Sequence, residues 1–387
     1  MKRNPFYQLT YIDDIPYLIP FGQANADFMH SLMLNDTGAF IWEHIERANT
    51  LDNLLALAHN HYRCAPSDVP AMDDTIRSFV ETLCAKKALI PTESSDAKTT
   101  PCRNLLIAGL YCSLHGSYDL FAEELLAFET TDTIPANALA QEIHLISTLP
   151  AEIPSGKLLL QNSELCVVET DAEFILLYPS SPIIKETHLT KDGRFASIYY
   201  SSTAVADART DILYAIRTLF LYFAQTRGMI AIHSASILYE DKAWLFSAPS
   251  GVGKSTHTSL WEKIIATPVI NGDLNLITAS DNAPIVHGTP WCGTSGIYHK
   301  ESYPLGGVIF LQRGTTDRII TLSDDQKQLR LVNRCISPNW TADLLASNLS
   351  VVAKIYQHIF MCQLVCTPTE NAVHCIRGAI DSYLLPE

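Results

Sequence analysis

The sequence predicts an α/β protein, α+β overall, that is built from three structural parts. The first 91 of its 387 residues combine short strand patterns with amphipathic helical patterns, which together indicate a winged-helix-like module. Residues 102–205 are dominated by strand patterns and indicate a β-rich lobe. Residues 206–387 contain strands and helices around one glycine-rich loop, which indicates a domain with a mixed sheet. The polar, breaker-rich segment 92–101 is typical of a linker.

The N-terminal module is expected to contain three short helices. Asn35 or Asp36 can cap the first helix, which contains the run GAFIWEHIE. Thr50 opens the second helix, along which leucines recur at helical spacing. Asp73 and Asp74 begin the third helix, which ends at the run KKALIP.

Turn signals predict three hairpins, and a glycine predicts the end of one long helix. The hairpin turns are placed at Asp13-Asp14, Asp192-Gly193 and Glu240-Asp241. The last of these joins two strands, MIAIHSASILYE and KAWLFSA. The run ADARTDILYAIRTLFLYFAQTRG precedes them and predicts a helix closed by Gly228. No chemical motif is apparent in the β-rich lobe.

Composition argues against a nucleic-acid or membrane protein. The formal net charge is −14, from 27 basic and 41 acidic residues, which is the wrong sign for binding a phosphate polymer. The longest apolar candidate, 212–224, is interrupted by Arg217 and is shorter than the roughly 18 residues of a membrane span. The N-terminus has no apolar signal region, and the ten cysteines form no paired framework. We therefore expect a cytoplasmic protein, and homo-oligomerisation is left open.

One motif indicates nucleotide binding. The run SAPSGVGKST fits the phosphate-loop (Walker A) pattern from Ala248 to Ser255, with alanine at the position of the first glycine. A strand precedes the loop and a helix follows it, so the helix amides are expected to point at the phosphates. Lys254 is expected to reach the β- and γ-phosphates, and the hydroxyl of Ser255 to bind Mg²⁺. The predicted ligand is ATP or GTP with Mg²⁺, bound by Ser250, Gly251, Val252, Gly253, Lys254, Ser255 and Thr256.

Three further residues are candidates for the chemistry. Asp273 follows an apolar strand about 18 residues beyond the loop, where a metal-binding or general-base carboxylate is needed. His233 is a polar residue in an apolar strand that we expect to run beside the strand of the loop. Arg313 follows the strand GGVIFLQ and can supply positive charge to a transferred phosphoryl group. The loop 287–300, rich in glycine, hydroxyls and basic groups, is of a kind that closes on a nucleotide.

The N-terminal part, from about residue 15 to 91, resembles PqqD-like domains, the recognition elements of ribosomally made, post-translationally modified peptides. The resemblance is carried by the runs LNDTGAFIWEHIE, TLDNLLALAHNHY and DTIRSFVETLCAKKALI. It implies a fold similar to a winged helix. It also implies that this part binds the leader segment of a precursor peptide as an added β-strand, in a groove beside the third helix.

Residues from about 228 to 313 resemble the HPr kinase and phosphoenolpyruvate-carboxykinase-like P-loop fold, and the kinases of lasso-peptide clusters look similar. The resemblance is carried by IHSASILYEDKAWLFSAPSGVGKST, INGD, GTPWCGTSGI and PLGGVIFLQRG. His233, Lys254, Ser255 and Asp273 match the family's His, Lys, Ser and Asp positions. The chain departs from the family at one point, because HPr kinases usually show two adjacent acids here and this chain has Gly272-Asp273-Leu274.

Together these patterns predict an ATP-dependent kinase that phosphorylates a serine or threonine hydroxyl of a recruited precursor peptide. In this hypothesis Asp273 takes the hydroxyl proton or holds metal, and His233 places or polarises the acceptor. A non-catalytic protein that presents peptide and uses nucleotide as a switch is the main alternative, and the single acid favours it. A kinase of a small hydroxylated metabolite is a further alternative. The sequence leaves the peptide, the acceptor residue and the nucleotide base open.

Overall fold

A computed structural model describes residues 2–4, 7–20, 31–48, 51–65, 68–86, 88–90, 102–135, 138–147, 156–201, 205–279 and 283–385. The chain divides into two compact units, Met1–Thr99 and Thr100–Glu387. Helices combine with several sheets in both units, which confirms the predicted mixed α/β, α+β class. The predicted linker 92–101 lies outside the described residues, and the predicted boundary at 205/206 stays a prediction. Within the described ranges, none of the helices has the length and apolar character needed to cross a bilayer.

The first unit contains helices and short antiparallel strands. Its helices are α1 (Asp36–Ala48), α2 (Leu51–Tyr62) and α3 (Val69–Ala85). Its strands are β1 (Lys2–Arg3), β2 (Tyr7–Ile12), β3 (Ile15–Pro20), β4 (Leu32–Met33) and β5 (Leu89–Ile90). β2, β3 and β4 form one sheet in that order, and β1 pairs with β5. One apolar core, which includes Leu18, Ile41, Leu54 and Ile76, joins the sheet to the helices.

Local signals explain where the elements of the first unit turn and begin. Asp13 and Asp14 have φ values of 50° and 64°, the left-handed pair that a two-residue hairpin requires, so this predicted turn is confirmed. Asn35 Oδ1 accepts a hydrogen bond from the backbone N–H of Gly38 at 2.8 Å. Asn35 therefore acts as the cap of α1, as one of the two predicted candidates.

The start predicted for the third helix is wrong by one turn. We expected it at Asp73-Asp74, whereas α3 begins at Val69. Pro70 lies in the first turn of α3, where its missing N–H removes no intrahelical hydrogen bond and its fixed φ favours the helix. Thr50, predicted to open the second helix, lies outside the described residues.

The second unit begins with an eight-stranded sheet. Its strands are β6 (Cys102–Ile107), β7 (Leu110–His115), β8 (Ala140–Ile146), β9 (Lys157–Gln161), β10 (Cys166–Glu169), β11 (Glu173–Leu177), β12 (Ile184–Thr190) and β13 (Phe195–Tyr200). Their order is β6-β7-β8-β13-β12-β11-β10-β9. Only the β7–β8 and β8–β13 pairs are parallel. A short helix, α4 (Glu123–Leu126), lies between β7 and β8 in sequence.

One face of this sheet packs on α5 (Val205–Gln225). Leu114 and Ile143 are fully buried in the same apolar cluster as Ile216 of the helix. The predicted hairpin turn at Asp192-Gly193 is confirmed: Gly193 has φ 74°, and a Cβ there would lie 3.1 Å from the ring of Tyr222 in α5. The opposite face carries His115, Glu142 and His144 together with exposed apolar side chains such as Phe195.

The second sheet has nine strands, and the glycine-rich loop follows one of them. Its strands are β14 (Met229–His233), β15 (Ala235–Tyr239), β16 (Lys242–Ser247), β17 (Val269–Asn271), β18 (Leu274–Thr278), β19 (Ile285–His287), β20 (Tyr303–Arg313), β21 (Arg318–Thr321) and β22 (Phe360–Cys366). The path runs β14-β18-β19-β20-β16-β15-β17, and β22 pairs with β20 and β21. The helices beside it are α6 (Lys254–Ile265), α7 (Asp324–Val332), α8 (Ala342–Ile355) and α9 (Glu370–Leu384). The sheet is mixed because β16–β20 and β20–β22 are parallel.

The run MIAIHSASILYE forms two strands rather than one. The strand is interrupted at Ser234. The backbone carbonyl and the hydroxyl of this residue both accept hydrogen bonds from the amide group of Asn275. Beyond this break β15 pairs with β16, whereas β14 pairs with β18. The prediction that this run lies beside the strand of the loop is therefore confirmed for β15 and wrong for β14, which contains His233. The predicted turn at Glu240-Asp241 is confirmed, since both residues have positive φ.

Candidate active site

The glycine-rich loop joins the end of β16 to the start of α6. β16 ends at Ser247 and α6 begins at Lys254, which is the strand–loop–helix order expected from the sequence. Gly251 and Gly253 have φ values of 76° and 121°, a region that residues with a Cβ rarely adopt. The two glycines therefore let the chain turn sharply between the strand and the helix.

Ala248 explains how the loop tolerates alanine in place of the first glycine of the pattern. Its methyl group is 1% exposed and belongs to the apolar cluster that contains Phe246 and Trp261. The side chain thus packs into the core beneath the loop. Alanine at this position therefore makes apolar contacts in the core, and its methyl group does not reach the outer side of the loop.

The outer side of the loop is open to solvent at the start of α6. Ser250, Ser255 and Thr256 are exposed, and Gly253 caps the helix without a side-chain hydrogen bond. The first amides of a helix have no intrahelical partner, and the helix dipole is positive at this end. Such an end attracts an anion, so the residues predicted to bind phosphate lie where an anion has access.

His233, Lys254 and Asp273 meet at one atom. The Nζ of Lys254 lies 3.2 Å from the Nε2 of His233, and the Oδ1 of Asp273 lies 3.1 Å from the same nitrogen. The side chains of His233 and Asp273 are 30% and 28% exposed, so the group is partly screened from water but accessible. The structure therefore brings together three of the four residues predicted to be catalytic.

A single ring nitrogen cannot serve both partners of His233 at once. If Nε2 carries the proton, it donates to the carboxylate of Asp273, and the ammonium of Lys254 is left without an acceptor there. If Nε2 is unprotonated, it accepts from Lys254 and makes no hydrogen bond to Asp273. The carbonyl oxygen of Ala248 lies 3.4 Å from Nζ and offers a second acceptor for the ammonium.

Backbone hydrogen bonds fix the position of Asp273. It lies in the turn between β17 and β18, where Asn271 Oδ1 accepts hydrogen bonds from the N–H groups of Asp273 and Leu274 at 2.9 and 3.0 Å. The carbonyl of Asp273 accepts from the N–H of Ser234, the residue after His233. A Cβ at Gly293 would lie 2.9 Å from the Cβ of Asp273, so that glycine leaves room for the carboxylate.

The electrostatic environment keeps Asp273 ionised. Its hydrogen bond to His233 lowers the pKa of the carboxyl group below its usual value, burial opposes this, and the charges of His233, Arg217 and Lys254 lower the pKa further. Burial lowers the pKa of Lys254, and the charge of Asp273 opposes that shift. The carboxylate is therefore surrounded by cationic groups, which is the arrangement that a site for anionic phosphate needs.

Arg217 is a residue of the site that sequence reasoning missed. It lies on α5, its guanidinium packs 4.7 Å from the ring centre of Tyr214, and its charge acts on Asp273. Burial lowers the pKa of Arg217, and the charge of Asp273 opposes the change. The signal was present in the sequence as the one arginine that interrupts the apolar run 212–224. A buried arginine is costly unless an anion compensates it, so this interruption indicates a partner.

Gly272 leaves no room for a second acid beside Asp273. A Cβ at this position would lie 2.0 Å from the Oγ of Ser295 and 2.5 Å from its Cβ. Ser295 lies in the short 3-10 helix Gly293–Ser295, and its hydroxyl donates to the carbonyl of Cys292 at 2.7 Å. The loop 287–300 thus packs against one of the two positions next to Asp273 where the resemblance leads one to expect a second carboxylate.

Arg313 contacts the loop itself. Its guanidinium donates hydrogen bonds to the carbonyl oxygens of Gly251 and Val252, the latter at 3.3 Å. These bonds tie the last residue of β20 to the turn of the loop. They give Arg313 a role in holding the loop conformation, and its predicted action on a transferred phosphoryl group stays a prediction.

The loop 287–300 is partly anchored away from the site. His287 makes hydrogen bonds to the hydroxyls of Thr278 and Ser302, at 2.8 and 3.0 Å. Trp291 is 2% exposed and donates through its indole N–H to the carbonyl of Leu213 on α5. The exposed part of the loop, 293–297, is the part that reaches Asp273.

A cavity of 310 Å³ adjoins the loop and the first two turns of α6. Its lining residues are Val252, Gly253, Thr256, His257, Leu260, Arg313, Gly314, Cys366, Thr367 and Pro368. It is continuous with the opening over the helix start because Gly253 and Thr256 belong to both. A larger cavity of 610 Å³, at Trp340 and the start of α8, contains no residue of the loop. We include the first cavity in the candidate site because Val252, Gly253 and Thr256, which are predicted to bind phosphate, line it; His233, Lys254 and Asp273 are not among its lining residues.

The site consists of a glycine-rich loop between a strand and a helix, with a lysine, a histidine and a carboxylate in contact at the start of that helix. No protein-family model matches the chain, and no curated protein matches it. The function is therefore argued from the geometry of these residues.

Proposed function

We propose that the protein is an ATP- or GTP-dependent kinase that transfers the γ-phosphoryl group to a serine or threonine hydroxyl of a ribosomally made precursor peptide. In this proposal the second unit contains an HPr kinase-like P-loop domain, and the first unit is a PqqD-like domain that recruits the leader of the peptide. The contact of Lys254 and Asp273 with the same nitrogen of His233 carries the proposal. It puts a phosphate-binding cation next to a carboxylate that can take a proton.

Nucleotide binding is supported by the chemistry of the loop. The amides at the start of α6 and the ammonium of Lys254 provide donors for phosphate oxygens. The hydroxyl of Ser255 and the carboxylate of Asp273 are oxygen ligands, which Mg²⁺ prefers. The cavity of 310 Å³ beside Thr256 and Arg313 offers space for the nucleoside. The residues present therefore fit MgATP as a substrate.

Binding of phosphate is expected to rearrange the three contacting side chains. The ammonium of Lys254 then gains phosphate oxygens as acceptors and releases the nitrogen of His233. That nitrogen can then carry a proton and donate a hydrogen bond, either to Asp273 or to the incoming hydroxyl oxygen. His233 thereby places the acceptor, while Asp273, ionised at neutral pH, accepts the hydroxyl proton as the oxygen attacks.

The cationic groups around Asp273 suit the charge of the reaction. Lys254 neutralises the phosphate oxygens, and the charge of Arg217 also acts on the carboxylate of Asp273. Mg²⁺, which accompanies the nucleotide, supplies further neutralisation of the transferred group. Phosphoryl transfer needs little covalent help from the protein, so positioning and charge are the main contributions that these residues make.

A peptide acceptor is favoured over a small metabolite by the first unit. Its described residues form a three-stranded sheet and three helices, and this combination supports the winged-helix-like arrangement that the PqqD resemblance implies. Peptide recognition by strand addition uses a sheet edge with apolar pockets beside it. The edge strand β4 carries Met33, whose side chain is 69% exposed. An exposed apolar residue at a sheet edge is suited to cover an incoming strand.

A binding protein that uses nucleotide as a switch is the second candidate. The observation that favours it is Gly272, because the packing of Ser295 excludes a second carboxylate at this position. With one acid, Asp273 must either take the proton or hold metal. If it only holds metal, the nucleotide is bound but its phosphate is not transferred.

The test uses the full chain, Mg²⁺ and ATP labelled at the γ-phosphate. The substrate is a synthetic precursor peptide encoded next to the gene, and a scrambled-leader version with the same core is the control. The kinase proposal predicts label on a serine or threonine of the first peptide and little on the second. Label on neither peptide, with tight binding of both ATP and leader, would support the switch instead.

A further inference from the structure

Four side chains of types that commonly bind metals lie on one face of the eight-stranded sheet, close to its edge strand β6. They are Cys102 on β6, His115 on β7, and Glu142 and His144 on β8. One ligand atom each from His115, Glu142 and His144 lies within 4.8 Å of the others. The Sγ of Cys102 lies 3.8 Å from the Nε2 of His115.

The register of three neighbouring strands creates this cluster. Cys102 is directly opposite His115 in the antiparallel β6–β7 pair, and His115 is directly opposite His144 in the parallel β7–β8 pair. Glu142 precedes His144 by two residues, so both point to the same face of the sheet. The intervening Ile143 is fully buried on the other face, which fixes the alternation.

Two donor separations are close to those around a tetrahedral zinc ion. With Zn–S of about 2.3 Å and Zn–N of about 2.05 Å, adjacent sulfur and nitrogen ligands lie about 3.6 Å apart. The Cys102–His115 distance is 3.8 Å, and the Nε2 of His144 lies 3.8 Å from a carboxylate oxygen of Glu142. Cys102 is not part of the mutually close group of His115, Glu142 and His144, so its exposed side chain must shift to complete the shell.

The two imidazoles lie side by side. The rings of His115 and His144 stack with centres 4.2 Å apart and an interplanar angle of 2°, an arrangement unfavourable for two cations. The torsion that orients each ring is soft, so the rings can turn towards a shared ion.

We propose that Cys102, His115, Glu142 and His144 form a zinc site on the second unit, separate from the nucleotide site. A thiolate, two imidazoles and a carboxylate are ligands that favour Zn²⁺ over Mg²⁺ or Ca²⁺. Four protein ligands complete the tetrahedral shell, which is typical of a structural site. The ion replaces the thiol proton of Cys102, which passes to solvent, and it ties the edge strand β6 to β7 and β8.

Cobalt provides a probe that distinguishes this site from the nucleotide site. The full chain is stripped with a chelator and titrated with Co²⁺ in the absence of nucleotide, then with Zn²⁺ in competition. We expect one equivalent bound, with the strong visible bands of tetrahedral Co²⁺ and a near-ultraviolet thiolate-to-metal band. All ten cysteines lie in the described part of the chain and Cys102 alone is exposed, so the thiolate band reports on this site.

Matched variants test the assignment. Cys102→Ser should abolish the thiolate band and weaken Zn²⁺ binding tenfold or more, and His144→Ala should weaken it similarly. Cys166→Ser, on β10 of the same sheet, and His188→Ala, whose ring nitrogens bind Glu173 and Glu186, should leave both readouts unchanged. Circular dichroism checks that each variant is folded.

Two results would overturn the proposal. One is the absence of stoichiometric binding by folded wild type at micromolar Co²⁺ or Zn²⁺, which would make the cluster an ordinary polar patch. The other is a thiolate band that persists in Cys102→Ser, which would assign the metal to another cysteine. Neither result bears on nucleotide binding, because the loop residues are not part of the cluster.

Discussion

Lys254 and Asp273 both approach the Nε2 atom of His233, at 3.2 and 3.1 Å. One residue begins the helix after the glycine-rich loop, and the other lies in the turn between β17 and β18. His233 ends a third element, β14, so the imidazole links the loop to the turn. This contact is the basis of the predicted chemistry, and the predictions below test its parts separately.

Removal of the loop lysine should weaken nucleotide binding severely. Lys254→Ala deletes the ammonium that is expected to bond the β- and γ-phosphates, and hydrogen bonds to charged groups contribute about 1.5–3 kcal/mol each. We expect at least a tenfold to hundredfold loss of MgATP affinity in isothermal titration calorimetry. Lys263→Ala, an exposed lysine in the last turn of α6, is the matched control. Equal affinities for wild type and Lys254→Ala would refute the phosphate-loop assignment.

Arg313 offers a test between two roles. If the guanidinium mainly holds the carbonyls of Gly251 and Val252, Arg313→Ala should lower nucleotide affinity about tenfold, because the loop loses two charged hydrogen bonds. If it mainly acts on the transferred phosphoryl group, the rate of transfer should fall while affinity is retained. We expect the loss of nucleotide affinity, because the hydrogen bonds of Arg313 go to the carbonyl oxygens of the loop. Arg318→Ala, an exposed arginine bonded to Thr316, serves as the control.

The stability of the second unit should fall in mild acid because of His257. This histidine is 2% exposed and accepts a hydrogen bond from the indole of Trp261 at 3.2 Å, and burial lowers its pKa to about 4. In the unfolded chain its pKa is about 6.5, so the unfolded state binds the proton first as the pH falls. Stability is therefore fully present above about pH 6.5 and declines towards pH 4. The loss at pH 5 is about 2 kcal/mol.

Replacing His257 by glutamine separates the effect of protonation on stability from the effect of packing. His257→Gln keeps an acceptor for Trp261 but cannot be protonated, so its unfolding free energy should vary less between pH 7 and pH 5 than that of wild type. Urea unfolding followed by Trp fluorescence at both pH values measures the difference. An identical pH dependence in the two proteins would show that His257 does not control it.

The first unit should fold and bind peptide on its own. Its apolar core, which includes Leu18 and Ile41, is made entirely of its own residues. We expect fragment 1–91 to unfold cooperatively and to bind the leader of the adjacent precursor peptide in fluorescence polarisation. Met33→Asp, at the edge strand, should weaken binding without unfolding the fragment. A folded fragment that shows no binding at tens of micromolar would argue against the recruitment role.

Local chemistry made part of the fold predictable. The turn at Asp13-Asp14 and the cap at Asn35 follow from residues a few positions apart, and the structure contains both. The strand–loop–helix order of β16, the glycine-rich loop and α6 was likewise predictable, because consecutive residues encode it. The third helix begins at Val69 and not at Asp73-Asp74, because Pro70 in its first turn favours the helix and the acidic pair lies further inside it.

Strand order and register were beyond local reasoning. The hydroxyl and carbonyl of Ser234 hold the amide of Asn275, a residue far along the chain, and this contact separates β14 from β15. The alignment of Cys102 with His115 and His144 likewise depends on how three strands pair. No spacing in the sequence encodes these pairings, because each depends on the register of elements that are remote in the chain.

The most direct test of the kinase proposal compares wild type with Asp273→Asn in a single turnover. The enzyme is mixed in excess over γ-labelled ATP with the precursor peptide, and label on the peptide is followed with time. General-base help is typically worth about 10² to 10⁴ in rate, so Asp273→Asn should reduce transfer by that factor or more while MgATP affinity stays within a few-fold. Loss of MgATP affinity in the variant would identify Asp273 as a metal ligand. A wild type that binds ATP and leader tightly but never labels the peptide would contradict the kinase account.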